Sequence, residues 1–396
     1  MTDTDIVILP GARTPMAEFN GSFATVTETE LGAHAARHAL ERSGVKADQV
    51  DHTVMGNAMQ TSPNAIYGAR HVALKAGVPV DRPALTVNRI CGSGIQAVVT
   101  AGQLLRLEEA RIVLAGGMEN MSQAPYALRG ARNGWPNLGT GQMEDTLLAA
   151  LKDNFCGFSM AETAENLARD MDISRQDMDA YAVLSQNRAQ AFHESGRAAE
   201  EIAPLEVPSR RGPLVVADDD HMRPGTTVEI LGRLKPAFSR DGFVTGGNAS
   251  GIVDGAAALL VCTGRRADEL GVRPLGRIVA HAVVGVEPRV MGIGPVPAIK
   301  AVLERAGLQL GDIDLFEINE AFAAQYLAVE KSLDLEREKV NVNGGAIALG
   351  HPLGATGTRL ILTLLLEMGR RQVRYGIASA CIGGGQGIAL LVERLS

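Results

Sequence analysis

The sequence lacks the features that mark membrane-spanning, secreted or nucleic-acid-binding proteins. Its apolar runs, such as residues 360–366, are too short to cross a bilayer, and no basic segment followed by an apolar one appears near residue 1. The 38 Lys and Arg residues form no basic run and are outnumbered by 45 acidic residues, which leaves a net charge of −7. We therefore expect no signal peptide and no binding to membranes or nucleic acids.

Cysteine is scarce, and its spacing excludes two common functions. Cys91, Cys156, Cys262 and Cys381 show neither CxxC spacing nor clustering with histidine. A zinc site or a redox-active pair is therefore not expected, and the thiols should be reduced, as in the cytoplasm.

Aromatic residues are also few, at 4%, whereas glycine is abundant, with 45 residues. This composition favours close backbone packing and many tight turns. The 396 residues, 46% hydrophobic and 21% charged, are typical of a globular protein of two or three domains. Predicted strands at 5–9, 50–55 and 84–87 alternate with predicted helices at 30–43 and 95–105. This alternation predicts an α/β fold with a sheet covered on both faces.

The pattern changes between residues 119 and 247. This stretch contains a polar loop, two predicted helices at 160–171 and 174–195, and a segment at 204–236 rich in Pro, Arg and Asp. We interpret it as an inserted loop domain rather than as a core layer. It would separate a first half, residues 1–118 completed by 248–272, from a second half, residues 273–396.

The second half repeats the first. Residues 40–44, Leu-Glu-Arg-Ser-Gly, match residues 303–307, Leu-Glu-Arg-Ala-Gly, at an offset of 263. The same offset relates Asp51 to Asp314 and Gly94 to Gly357, and predicted strands at 110–114 and 374–378 also correspond. An internal duplication explains this order. The halves should pack about a pseudo-twofold axis, each burying one sheet face against the other, so that equivalent turns meet.

Cys91 lies on a tight turn between a predicted strand and a predicted helix. Unpaired N–H groups and the positive end of the helix dipole favour a thiolate at such a position, which makes Cys91 a candidate nucleophile. A small buried residue that lets the helix pack closely on the sheet is the alternative.

The equivalent turn of the second half, residues 350–357, contains His351. It is the only one of eight histidines in a glycine-rich turn, and it is a candidate base, or else simply a turn residue before Pro352. Cys381 precedes a glycine-rich segment whose N–H groups could form an oxyanion site, although Cys381 could also fill the core. Two thiols and one imidazole suit the making or breaking of a C–C bond better than proteolysis, because the second thiol can transfer a proton to or from carbon.

Together these motifs resemble the thiolase family, which comprises acetyl-CoA acetyltransferases and 3-ketoacyl-CoA thiolases. The resemblance covers nearly the whole chain. It is carried by residues 12–15, 88–94, 115–122, 247–251, 319–322, 341–352 and 381–385. It implies a thiolase fold with two duplicated α/β halves in a five-layer αβαβα arrangement.

The resemblance also implies catalytic roles. Cys91 is the acylated nucleophile, His351 activates it, and Cys381 moves the proton at the α-carbon. Asn319 would hold a water that forms one oxyanion hole with His351. The N–H groups of Cys91 and Gly383 would form a second one.

Coenzyme A would lie along the insertion as a substrate, with no metal or nicotinamide cofactor. The family positions that contact the substrate correspond here to Arg223, Ala237, Phe238, Ser250, Met160 and Phe322. The family further implies a homodimer, or a homotetramer formed when loops of the insertion pair two dimers, for which residues 129–138 are the candidate. Ser159 stands where biosynthetic acetoacetyl-CoA thiolases often have histidine, so the pantetheine pocket and the acyl-chain length stay open. The sequence does not give the reaction direction.

The expected activity is reversible formation or thiolytic cleavage of 3-oxoacyl-CoA through an acyl-Cys91 intermediate. A non-catalytic acyl-CoA-binding protein is the alternative, although such a protein would be expected to have lost Cys91, Asn319, His351 or Cys381. A decarboxylating condensing enzyme normally uses one cysteine with His/His or His/Asn, so the second cysteine argues against it.

Overall fold

The protein was analysed as a computed structural model that describes residues 2–133, 143–209 and 212–395. The strands in these ranges are β1 (Ile6–Ile8), β2 (Ala12–Arg13), β3 (Ala17–Glu18), β4 (His52–Gly56), β5 (Ala84–Val87), β6 (Ile112–Glu119), β7 (Tyr126–Leu128), β8 (Met143–Asp145), β9 (Leu205–Val207), β10 (Leu214–Val216), β11 (Val253–Thr263), β12 (Gly276–Gly285), β13 (Leu315–Ile318), β14 (Tyr375–Ile382) and β15 (Gln386–Arg394). The helices are α1 (Glu28–Ser43), α2 (Gly68–Lys75), α3 (Ser93–Arg106), α4 (Thr146–Ala150), α5 (Met160–Asp170), α6 (Arg175–Glu194), α7 (Val228–Gly232), α8 (Gly264–Leu270), α9 (Pro295–Ala306), α10 (Ala323–Leu333), α11 (Ala346–Leu349) and α12 (Leu353–Arg371).

One sheet runs through both halves in the order β13-β14-β15-β12-β1-β11-β6-β4-β5, and β2 and β3 pair with β11. At its middle, β1 and β12 are antiparallel neighbours. From this junction the order β1, β11, β6, β4 in one direction corresponds to β12, β15, β14, β13 in the other. Both series have antiparallel pairs followed by one parallel pair. The predicted α/β fold with duplicated halves is therefore confirmed.

The duplication extends to individual hydrogen bonds. The Asp51 carboxylate accepts the N–H groups of Arg111 (2.9 Å) and Ile112 (3.1 Å). Asp314 accepts those of Arg374 (2.9 Å) and Tyr375 (2.8 Å). These bonds lie at the starts of β6 and β14, which begin one or two residues later than predicted.

Three apolar cores separate the layers. The central core contains α3, α12 and one face of each half of the sheet. One outer core lies between the sheet and α1 and α2, and the other lies between the sheet and α9 and α10. The expectation that the two halves pack sheet against sheet is therefore wrong, because α3 and α12 lie between the sheet halves. The two helices between them complete the αβαβα arrangement.

The interpretation of the insertion as loops outside the core is wrong for its two long helices. α5 and α6 bury Leu167, Met178 and Tyr181 in the outer core of the second half. The Tyr181 ring stacks on Tyr326 of α10, with 4.0 Å between ring centroids. Ser174 and Asp177 form a capping box at the start of α6. The apolar faces of these helices thus extend the outer core that α9 and α10 form.

The central helices α3 and α12 cross at two equivalent glycines. A Cβ atom on Gly94 would lie 2.5 Å from the backbone nitrogen of Thr358, and one on Gly357 would overlap the backbone nitrogen of Ile95. Real Cβ atoms do not approach other atoms so closely, so only glycine lets the two backbones touch. The crossing brings the N-terminal ends of both helices together.

We predict that Gly357→Ala destabilises the protein by about 1–3 kcal/mol, the typical cost of overpacking a core. The mutation should also lower activity, because it moves the N-terminus of α12 away from α3. Urea unfolding measures the stability. Gly369→Ala is the matched control in the same helix, since a Cβ there meets no atom within 4 Å. Equal stability of both variants would contradict the prediction.

Candidate active site

Cys91 is presented by a strained turn between β5 and α3. Ile90 has a φ of +46°, which is unusual for a β-branched residue. The turn is held by side chains: Arg89 N–H donates to Ser93 Oγ (2.8 Å), and Ser93 Oγ donates to the Ile90 carbonyl (2.7 Å). Strain of this kind is typical of functional sites, because surrounding contacts must maintain it.

The Cys91 thiol is buried, and burial raises its pKa to about 11. The backbone N–H groups of Gly383 and of Cys91 itself face the sulfur and act in the opposite direction. The expectation that the helix N-terminus favours a thiolate is therefore outweighed by desolvation. The same two N–H groups are suitably placed to bind the oxygen of an acyl group on the sulfur.

His351 is held in one tautomer. Its Nδ1 lies 2.7 Å from Thr356 Oγ1, and that hydroxyl donates its only proton to the Pro352 carbonyl (3.0 Å). Thr356 must therefore accept the Nδ1 proton, which leaves a lone pair on Nε2. Burial lowers the pKa of His351 to about 3, and the Arg359 charge acts in the same direction. His351 is thus a neutral imidazole that can accept a proton at Nε2.

Asn319 lies next to His351, directly after β13. Its Nδ2 is 3.3 Å from His351 Nε2, and its N–H donates to the Ser379 carbonyl (2.9 Å). Asn319 Oδ1 is buried and has no hydrogen-bond partner among the described residues. This acceptor fits the water that the family resemblance assigns to Asn319.

Cys381 completes the group from the end of β14. It is fully buried, and its pKa is raised by burial and further by the neighbouring Cys91 thiol. The two thiols are therefore close enough to interact electrostatically. The structure brings together all five catalytic residues predicted from the sequence: Cys91, Asn319, His351, Cys381 and Gly383.

Two cavities meet at this group. One, of about 370 Å³, reaches His351 and is mainly apolar. Its lining includes Met121, Leu148, Met160, Phe238, Ser250, Ile252 and Phe322. The other, of about 220 Å³, reaches Cys91 and Gly383 and is bordered by residues 150–154. Leu151, Lys152, Met160 and Leu353 line both cavities. A ligand could thus approach the sulfur from two directions.

Four of the six predicted substrate contacts, Met160, Phe238, Ser250 and Phe322, line the larger cavity. Arg223 and Ala237 do not. Arg223 pairs with Glu18 (2.6 Å) near the surface, and Ala237 N–H donates to the Val244 carbonyl (3.0 Å). Ser159 also borders the cavity, where it caps the N-terminus of α5 with Glu162.

Sequence reasoning missed two buried carboxylates that hold the catalytic turns. Glu119 accepts N–H groups from Ala58 (2.9 Å), Met59 (2.9 Å) and Gly354 (2.8 Å), and so ties the start of α12 to the first half. Burial raises its pKa to about 8, although these N–H groups act to lower it. The sequence did offer a signal for this role, because Glu119 is a charged residue at the end of an otherwise apolar segment.

Glu320 is the second carboxylate. It accepts hydrogen bonds from Tyr181 (2.6 Å) and Ser185 (2.7 Å) of α6, and from Ile347 N–H (3.1 Å). These bonds fix the turn that contains Asn319 against the insertion. The sequence offered no comparable signal, because α6 is distant along the chain.

Comparisons with known proteins agree with this geometry. The family model "Thiolase, N-terminal domain" matches residues 6–265, and "Thiolase, C-terminal domain" matches residues 272–394. The chain is 48% identical to human mitochondrial 3-ketoacyl-CoA thiolase over 389 residues, 98% of each chain. It is 48% identical to acetyl-CoA acetyltransferase from Cupriavidus necator over 393 residues, 99% of this chain and 100% of that one. The crystal structure of the human mitochondrial enzyme with CoA superposes with a TM-score of 0.96 at 47% identity, covering 99% of this chain and 98% of that one.

A buried thiol with a second thiol and two N–H donors near it, and a neutral imidazole in the adjoining cavity, fits the chemistry of an acyltransferase. The chain belongs to the thiolase family. Within the described residues, no group of three or more His, Cys, Asp or Glu side chains is arranged to bind a metal ion. No helix in that part of the chain is long and apolar enough to cross a membrane.

We predict that Thr356→Val slows Cys91 acylation by acetyl-CoA by about tenfold or more, because His351 loses the partner that sets its tautomer. The acylation rate can be followed by mass spectrometry of the intact protein. Thr358→Val is the matched control, since that hydroxyl donates to the Gly94 carbonyl and does not contact His351. Wild-type acylation by the Thr356 variant would refute the tautomer assignment.

Proposed function

We propose that the chain catalyses reversible thiolytic cleavage of 3-oxoacyl-CoA through an acyl-Cys91 intermediate, with coenzyme A as a substrate and no metal or nicotinamide cofactor. The observation that carries this proposal is that Cys91 and His351 line two adjoining cavities, with the buried Cys381 thiol near Cys91. One cavity would hold the pantetheine arm and the other the acyl chain.

In the first half-reaction, the Cys91 proton passes to His351 Nε2 while the sulfur attacks the 3-oxo carbon. The bond between C2 and C3 then breaks. Cys381 donates its proton to C2, and acetyl-CoA leaves. The acyl group stays on Cys91 as a thioester, with its oxygen at the N–H groups of Cys91 and Gly383.

In the second half-reaction, the thiol of free CoA gives its proton to the Cys381 thiolate and attacks the Cys91 thioester. Acyl-CoA leaves, and the Cys91 sulfur recovers its proton from His351. The reverse sequence forms a C–C bond from two acyl-CoA molecules. Asn319 would hold the water that, with His351, binds the substrate's thioester oxygen.

The proposed substrate contacts are Arg223, Ala237, Phe238, Ser250, Met160 and Phe322. Arg223 would have to leave Glu18 to reach a phosphate of CoA.

We also propose the domain bounds 1–118 with 248–272, 119–247 and 273–396. β11 supports these bounds, because it lies in 248–272 and pairs with β1 and β6 of the first half.

We further propose a homodimer formed through β5, the edge strand of the sheet. An exposed edge strand with apolar side chains is a template for pairing with a second chain. Leu85 on β5 is 43% exposed, and Ile66 and Tyr67 nearby in sequence are 71% and 58% exposed. For a tetramer the predicted contact is 129–138, of which residues 134–138 lie outside the described residues.

A cytoplasmic location is also a proposal. It is supported by the four free cysteines, which suit a reducing compartment. The human relative is named as mitochondrial, so a mitochondrial location is the alternative.

We predict that Cys91→Ala abolishes thiolysis of acetoacetyl-CoA, because no thioester can form. Cys381→Ala should still exchange acyl groups at Cys91 but lose C–C bond cleavage, because C2 loses its proton donor. Acetyl labelling of the protein and thiolysis are measured separately for each variant. Thiolysis by Cys91→Ala, or equal loss of both activities in Cys381→Ala, would contradict these roles. Failure of the wild type to gain an acetyl group would favour a non-catalytic acyl-CoA-binding protein.

The smaller cavity favours acyl groups longer than acetyl. Its volume of about 220 Å³ leaves room for such a group on Cys91, so thiolysis should be faster with 3-oxoacyl-CoA substrates longer than acetoacetyl-CoA. Each added CH₂ that is buried there contributes about 0.8 kcal/mol. The measurement is kcat/KM for 3-oxoacyl-CoA substrates of increasing length.

Ala150→Leu should shift this preference to acetoacetyl-CoA, because Ala150 lines the smaller cavity. Ala149→Leu is the neighbouring control and should leave it unchanged, since Ala149 is not part of that lining. A wild-type optimum at acetoacetyl-CoA would show that the acyl chain does not occupy this cavity.

A further inference from the structure

We propose that the buried ion pair between Arg359 and Glu317 positions His351 and Asn319 relative to one another, so that Arg359 is a positioning residue for activation of Cys91. This inference rests on the proposed function. Arg359 lies on α12, the helix that begins just after His351, and Glu317 lies on β13, the strand that ends just before Asn319.

The ion pair is fully enclosed. Arg359 Nη1 lies 3.1 Å from Glu317 Oε2, and the two side chains are 2% and 3% exposed. Burial raises the pKa of Glu317 to about 8, although the Arg359 charge acts to lower it. The contact is therefore a charged pair at alkaline pH and a hydrogen bond to a protonated carboxyl at acid pH. Removing one partner from such a pair leaves an uncompensated charge in the interior. The relative position of α12 and β13 is therefore coupled to the geometry of this contact.

The alternation of β13 places Glu317 and Asn319 on the same face. Leu315 belongs to the central core, whereas Phe316 and Ile318 belong to the outer core. The odd-numbered residues thus face α12. Glu317 therefore contacts Arg359 from the same face of β13 on which Asn319 contacts His351. Asn319 Nδ2 lies 3.3 Å from His351 Nε2.

Arg359 is one of three polar residues spaced four apart along α12. Thr363 donates to Glu201 (2.8 Å), and Glu367 accepts from Asn343 (3.1 Å). Only Arg359 has its partner on the strand that leads to Asn319. A shift of α12 along β13 would stretch this ion pair and the His351–Asn319 contact together.

Arg359 also acts on His351 through its charge. Among the described residues, the charge shown to act on His351 is that of Arg359 on α12. The neighbouring elements of the site also carry Cys91 before α3, Cys381 on β14, Glu119 on β6 and Glu317 on β13. Arg359 makes one hydrogen bond to Glu317 rather than a bidentate pair, and its Nη2 has no hydrogen-bond partner among the described residues. The guanidinium charge is thus incompletely cancelled, and it favours neutral His351.

The test compares Arg359→Met with Arg13→Met by measuring Cys91 acylation by acetyl-CoA per folded molecule between pH 3 and pH 9, a range that includes the acid limb expected from the His351 pKa of about 3. Arg13 is the matched control, because it is equally buried in ion pairs with Glu201 (2.8 Å) and Asp219 (2.6 Å) but belongs to β2, outside the site. Arg359→Met should acylate about 10–100-fold more slowly at pH 8, the usual effect of misplacing a catalytic group by about 1 Å. Arg13→Met should lose stability without this change in rate.

The pH dependence separates charge from position. Acylation needs neutral His351, and loss of the Arg359 cation raises the pKa of His351. The acid limb of the rate profile should therefore move to higher pH by about one unit. Glu317→Gln keeps the cation but breaks the ion pair, so it should slow acylation without moving the acid limb upward.

Wild-type rates and pH profiles in Arg359→Met and Glu317→Gln would overturn the inference. Should Arg359→Met fail to fold, Arg359→Lys replaces it, with a slower rate and an unshifted acid limb expected. In that case, wild-type rates in both single variants, Arg359→Lys and Glu317→Gln, would overturn the inference. Absence of acylation in the wild-type protein would instead refute the proposed function.

Discussion

The contact between the backbones of α3 and α12 is the constraint on which the active site depends. Gly94 and Gly357 occupy equivalent positions in the two halves, and each faces the backbone of the other helix. Because the contact is nearly symmetric, the same residue type satisfies both sides. The crossing sets the distance between the turns before the two helices, and those turns carry Cys91 and His351. A site built from both halves requires this approach, since neither turn contains a nucleophile and a base together.

The two halves then diverged so that one site formed instead of two. The residue equivalent to Cys91 is Gly354, where a Cβ would lie close to the Met118 carbonyl. Its N–H donates to Glu119. Backbone packing thus occupies the place where a second thiol would be. Met118 is likewise the equivalent of Cys381, and Gly56 is the equivalent of Asn319. Each of these reactive residues has an unreactive counterpart in the other half. One active site therefore forms, rather than two sites related by the pseudo-twofold axis.

The residues that sequence reasoning found and those it missed differ in a physical way. Cys91, His351 and Cys381 lie in glycine-rich turns, and this local context is visible in the chain. Glu119 and Arg359 act through partners in other elements, and their roles depend on which helix or strand faces them after folding. The same holds for α5 and α6, whose apolar faces complete a core of the second half. Local pattern predicts elements and turns, whereas long-range packing decides which buried charges are satisfied.

Burial explains how the site can hold a nucleophile without leaving it charged. At the start of α3 the helix dipole favours a Cys91 thiolate, but desolvation is stronger and raises the pKa to about 11. His351 is also kept neutral, with a pKa near 3. Both shifts favour the neutral forms of Cys91 and His351 before substrate arrives. Proton transfer can then accompany attack on the carbonyl, at the moment when negative charge moves from sulfur to an oxygen held by N–H donors.

The buried polar groups behind the site are explained by the same requirement. They fix the donors and the imidazole in place, so that little reorganisation remains when the charge appears.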